Sequence, residues 1–138
     1  MKTYALKAAA WLFLLCVFTH AGVKAEQPEF LLVKFNELAT KGADYDGKLV
    51  ALVGYYVQQA PDSILYSEKP TGKNYHGEML WIGGNLIENS TDVVRKDGAW
   101  SIVIGTYRNG AIGIFGKYFG QLERIAAMYP IEVKRGSK

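Results

Sequence analysis

Apolar positions cluster most densely just after Tyr45-Asp46-Gly47-Lys48, where β-branched and aromatic residues run from Leu49 to Val57 with almost no charge. Asp-Gly is a strong turn dipeptide, because glycine takes a positive φ without steric cost. The run after it fits a pleated, packed strand, predicted over about Lys48–Gln58. Gly54 falls inside it, where glycine costs stability unless the strand bends or another backbone comes close. Upstream, the short apolar run Phe30–Phe35 predicts a strand. Asn36 then reads as an N-cap, Glu37–Lys41 as a helix of one or two turns, and Gly42 as its stop.

The rest of the chain repeats short apolar runs between turn residues. Ala60-Pro61-Asp62-Ser63 is a turn signal, and Ile64–Ser67 a short strand. Glu68–Glu78 holds Pro70, Thr71, Gly72, Asn74 and Gly77 and reads as a loop. Met79–Ile82 is the next strand, ended by Gly83-Gly84. Ser90–Gly98 has the marks of a short helix, with Ser90 as N-cap, Asp92 in its first turn, and Arg95 and Lys96 at its end. Ala99–Tyr107 is a strand. Asn109-Gly110 is the strongest hairpin signal, since both central positions of a type I′ turn need positive φ. Its partner strand would run from Ala111 to about Leu122. Over 121–129 the spacing of Leu122, Ile125 and Ala126 fits a helical face as well as a strand, and we read it as strand. Five strands with a small helix between the third and fourth match an OB-like barrel. The expected fold is mostly β: a five-stranded, partly open barrel with one or two short helices.

Composition changes the picture mainly at the N-terminus. Lys2 and Lys7 precede the unbroken apolar run Ala8–Phe18, and Val23-Lys24-Ala25 places small residues at −3 and −1 of a cleavage site. That is the pattern of a secretory signal peptide, and the run falls short of the ~20 apolar residues of a spanning helix. Cys16 follows Leu15 rather than a small residue, which speaks against lipoprotein acylation. The expected organisation is a signal peptide at 1–25, a barrel domain at 26–130 and a basic tail at 131–138. Cleavage would leave no membrane anchor and an exported chain, periplasmic or extracellular. It would also remove Lys2, Lys7 and Lys24 from the 16 basic residues, so 13 would face 13 acidic ones. A formally neutral domain lacks the broad electrostatic footprint of a nucleic-acid binder. The only cysteine would leave too, so packing alone would stabilise the fold.

Candidate chemistry is sparse. After cleavage the one histidine is His76, and a transition-metal site wants three or four N or S ligands. Asp62, Glu68 and Glu78 have no ligand-like spacing, so no metal and no cofactor are expected. His76 reads as a solvated loop residue, dispensable for any activity. Ser63, Ser67 and Ser101 stand in no Gly-x-Ser-x-Gly elbow. Asp44 and Asp46 read as turn residues. Gly110, Gly113, Gly116 and Gly120 form neither a dinucleotide fingerprint nor a P-loop. Asn89-Ser90-Thr91 matches a glycosylation sequon, too short a match to weigh. We therefore expect no catalytic residues and no enzyme. The aromatics are the one suggestive constellation. OB barrels bind ligands on their second and third strands and at the first and last hairpin loops. Tyr66 and Trp81 lie on those strands and Tyr75 in the loop between. Each ring can equally serve the core. The candidate ligand surface is Tyr66, Tyr75 and Trp81, with Arg108 and Asn109 of the last hairpin at the rim.

One resemblance bears on this. Tyr45-Asp46-Gly47-Lys48-x-Val50-x-Leu52-x-Gly54, Ile64-Leu65-Tyr66, Trp100-Ser101-Ile102-Val103-Ile104-Gly105, Gly113-x-Phe115-Gly116 and Leu122-x-x-Ile125 together resemble small secreted bacterial proteins with an OB-like domain and no established activity. The resemblance spans about 31–128, with Leu52 where a second valine is more usual. It implies the fold and carries over no functional residues. The expected function is a secreted or periplasmic, non-enzymatic binding module for an unknown protein, glycan or small ligand of the cell envelope. The alternatives are an envelope inhibitor or immunity-type protein, with the loop at 68–78 as its contact, and an enzyme with an unrecognised site.

Overall fold

A computed structural model describes residues 29–59, 62–72, 75–83, 91–113 and 116–134. The expected signal peptide and the end of the basic tail lie outside them. The elements in order are β1 (Leu31–Leu32), α1 (Phe35–Tyr45), β2 (Leu49–Gln59), β3 (Asp62–Tyr66), β4 (Met79–Ile82), β5 (Ala99–Ile112) and β6 (Tyr118–Pro130). β2 is the hub. One edge pairs antiparallel with β5 from Leu49 to Tyr56. The other edge is shared, by β1 in parallel at Val50–Ala51 and by β3 antiparallel from Tyr55 to Gln59. β3 pairs with β4, β4 runs parallel to β6, and β6 returns antiparallel to β5. The ring β2-β3-β4-β6-β5 is the expected five-stranded, OB-like barrel, but it is closed rather than partly open, because β4 pairs with β6 and β5 with β2. Its shortest seam is the parallel one, Leu80–Ile82 against Gly120–Leu122.

Alternation along the strands separates two apolar clusters. Val50, Leu52 and Tyr56 of β2, Leu80 and Ile82 of β4, and Leu122, Ile125 and Met128 of β6 fill the barrel. Phe35 and Leu38 of α1 close one end of it. The positions in between build a second cluster on the outer face of β3 and β4, from Ile64, Tyr66, Met79 and Tyr118.

Several local expectations need correction. The strand expected at Phe30–Phe35 shrinks to Leu31–Leu32, because α1 already begins at Phe35. Asn36 does not cap α1. The helix starts after Lys34, whose backbone N–H donates to the Glu37 carboxylate at 3.0 Å. Gly42 does not stop it either. The helix runs through a distorted turn at Lys41 to Tyr45 and ends at Asp46-Gly47, where Gly47 has φ 76°. Gly42 is buried, and a Cβ there would overlap Asn109 Oδ1 and lie 2.8 Å from Tyr107 Oη. It is glycine so that α1 can lie against β5.

The helix expected at Ser90–Gly98 is not formed over 91–98; Ser90 lies outside the described residues. Here the backbone bonds to the β6 edge instead. Val94 N–H donates to Met128 O at 2.7 Å, and Met128 N–H to Asp92 O at 2.8 Å. The Asp92 carboxylate, expected to favour a helix start, accepts from Tyr129 Oη at 2.9 Å. Among the described residues α1 is the only helix.

Asn109-Gly110 is not the last hairpin turn. β5 continues to Ile112, pairing Asn109 with Gly120 and Ile112 with Tyr118. Two residues of β5 thus oppose one of β6, and Gly110, at φ 127°, absorbs the extra residue as a bulge. The chain reverses instead between Ile112 and Tyr118, where Gly116 N–H donates to Gly113 O at 3.2 Å. A second bulge explains the ambiguity of 121–129. Ile104 pairs with Ala127 and Thr106 with Glu123, so β6 carries extra residues there, with Arg124 at φ 48°. The shift in phase turns both Leu122 and Ile125 inward, three apart as on a helix, although the segment is strand as expected.

Candidate functional site

The outer cluster is covered by the loop between β3 and β4, and Tyr75 holds that loop in place. Its hydroxyl accepts from the Glu68 backbone N–H at 3.1 Å and shares a hydrogen bond with Ser67 Oγ at 2.9 Å. Its ring meets Tyr66 edge to face, with centroids 4.9 Å apart. Gly77 lets the chain pass directly against this ring, where any Cβ would overlap it. The loop is thus a wall folded back on the barrel. Burial pushes the Tyr66 hydroxyl above its usual range, with Tyr75 adding to the shift.

Between this wall and the tip of the β5–β6 hairpin lies a groove of about 530 Å³. Tyr66 and Met79 line it from β3 and β4, Val57 and Gln59 from the end of β2. Pro70, Gly72, Tyr75 and His76 contribute from the loop, and Lys117 from the hairpin. The groove thus lies over the second and third barrel strands, with the loop between them on one side and the last hairpin on the other. Lys117 Nζ also sits 5.6 Å from the centroid of the Tyr118 ring, and Lys69 Nζ lies 5.9 Å from that of Tyr55, a partner of the outer cluster. Among the residues whose side chains are described, no carboxylate lines the groove. Glu68 and Glu78 instead line a separate depression with Ser67, Leu32 and Val53. The loop therefore turns its two carboxylates away from the groove.

Of the five residues singled out in the sequence, the structure brings two together. Tyr75 forms the wall and Tyr66 the floor. Tyr66 is only 7% exposed, so the exposed stacking surface expected of it is not there. Trp81 is half-buried against the same cluster but outside the groove, and Gly83 gives its ring room. Arg108 and Asn109 serve a different junction. Arg108 Nε donates to Glu123 Oε1 at 2.6 Å, and Asn109 N–H to Asp46 Oδ1 at 2.9 Å. Tyr107 Oη donates to Asn109 Oδ1 at 3.3 Å. The Asn109 bond fastens β5 to the turn between α1 and β2, and the Arg108 bond ties β5 to β6. Glu123 raises the Arg108 pKa further above its usual value, chiefly through this hydrogen bond.

Lys117, Gln59, Met79 and His76 were not singled out as ligand contacts. One signal pointed to Lys117: a cation was sought at the last hairpin, and that hairpin lies beyond Gly113 rather than at Asn109. His76 is exposed, as expected of a loop residue, but it borders the groove. The described residues hold no cluster of histidine, cysteine and carboxylates fit for a metal ion. They also hold no helix long and apolar enough to cross a membrane. In comparison with known proteins, no family model matches the chain and no curated sequence matches it.

Proposed function

We propose that the protein is an exported, non-enzymatic binding module that takes a small ligand, or the protruding part of a larger one, in the groove over β3 and β4. The observation that carries this reading is the pinned Tyr75 wall. A loop fastened by its own tyrosine keeps the groove open before any ligand arrives, which lowers the ordering cost of binding. The volume of about 530 Å³ lies within the range of small-molecule sites. Serine hydroxyls are engaged structurally: Ser67 with Tyr75, Ser63 with Tyr56 at 3.2 Å, and Ser101 with the Ala99 carbonyl at 3.4 Å. The charged start, short apolar run and Val23-Lys24-Ala25 support export.

The test is an amide NMR titration with fractionated small molecules and glycan fragments of a cell envelope. The expected result is shifts concentrated at Gln59, Gly72, His76 and Lys117, with the ligand recovered chemically unchanged by mass spectrometry. Shifts clustered elsewhere would remove the groove from consideration. A ligand recovered cleaved or modified would show an enzyme.

A further inference from the structure

The ligand class can be narrowed from the charges around the groove. We infer that it accepts a short acidic saccharide, one or two sugar rings bearing a carboxylate, and this rests on the binding reading above. Lys117 stands on the hairpin side of the groove and His76 on the loop side, and none of the side chains described in the lining is a carboxylate that would neutralise the ammonium group. An ammonium group facing an open, partly apolar cleft favours an anion over a neutral guest of the same shape. The half-buried Tyr75 ring gives the groove one apolar wall, enough for the apolar face of a single sugar ring. The Gln59 amide and the His76 imidazole can hydrogen-bond to hydroxyls.

The same charges disfavour a long polyanion. Glu68 and Glu78 lie on the other flank of the 67–78 loop, so a phosphate backbone crossing the loop would meet like charge. Nor are the rings exposed enough for successive bases: Tyr66 is buried and Tyr75 is half-buried with its hydroxyl engaged. A short anion held within the groove avoids both obstacles.

The experiment uses three probes against the exported chain: digalacturonic acid, its neutral methyl diester and a six-nucleotide single-stranded DNA. Each is titrated by calorimetry and by amide NMR, with wild type, Lys117→Gln and Lys134→Gln. Lys134 is exposed beyond the far end of β6 and controls for net charge. The expected result is that the diacid binds about tenfold more tightly than the diester, with shifts at Gln59, Gly72 and His76. Lys117→Gln should remove most of that preference and Lys134→Gln should leave it intact. Equal binding of diacid and diester in the groove would overturn the acidic class while leaving the binding reading standing. Tighter binding of the DNA at the same residues would overturn it in favour of nucleic acid. An equal loss of preference in both variants would reduce it to net charge and overturn it. No groove shifts with any probe would overturn this inference, while the binding reading stands or falls on its own titration with envelope fractions.

Discussion

Tyr75 and Tyr107 show how much a single hydroxyl can organise in this barrel. Tyr75→Phe keeps the ring against Tyr66 but removes the acceptor used by the Glu68 N–H. The expected loss is about 1 kcal/mol, read by urea denaturation, with faster amide exchange at Glu68. Unchanged exchange there would mean that the loop is held by something else. Tyr107 is fully buried, and burial, helped by the nearby Asp46 carboxylate, pushes its hydroxyl from 10.0 up to about 12. The folded state therefore holds this proton more tightly than the unfolded chain. Its contribution to stability is complete below pH 10 and is lost as pH rises towards 12. Denaturation midpoints should fall across that window, and the fall should be shallower in Tyr107→Phe. The Arg108–Glu123 pair is expected to matter less. Its side chains are 42% and 22% exposed, so Glu123→Gln should leave the urea denaturation midpoint nearly unchanged.

Elements here are shaped by where they must bend or touch. Gly110 has open space around it, so any penalty at that site comes from its φ of 127° rather than from crowding. Gly110→Val should cost about 1–3 kcal/mol and raise amide exchange along the β5–β6 ladder. Gly42 is the reverse case, with helical surroundings and no space. Gly42→Val should force α1 off β5 and cost about 2 kcal/mol or more. An unchanged melting temperature would contradict the close helix–strand contact. The sequence showed that both sites were special without showing why. A glycine beside Asn signals positive φ, and the bulge uses that freedom as well as a hairpin would. A glycine after a short helix signals a stop, and only the neighbouring β5 makes it a contact point.

For the whole molecule, stability must come from packing if the cysteine is removed with the signal peptide. The exported protein should have an intact mass beginning at Glu26, and its melting temperature should not respond to reductant. A retained Cys16 would show in the mass and open a route to intermolecular disulfides. The barrel is held by two long antiparallel ladders, β5 with β6 and β5 with β2, and closes through the short parallel seam of β4 with β6. Loosening is thus expected to begin at the short seam, seen as faster amide exchange at Leu80–Ile82 than at Ile102–Ile104.

What the sequence determined by itself was the strand set and the barrel class. Those follow from alternation, turn dipeptides and the density of apolar residues, all local quantities. The length of each strand past its turn signal was not local. Asn109-Gly110 looked like a hairpin turn, yet Ile112 still had an apolar cluster to join and Asn109 a carboxylate to bind, so the strand ran on. That shift exchanged Arg108 and Asn109 for Lys117 at the groove. Burial was likewise decided by tertiary structure. Tyr66 and Tyr75 are equal in sequence, but only the folded loop makes one a floor and the other a wall, because which ring meets solvent depends on what the chain lays over it.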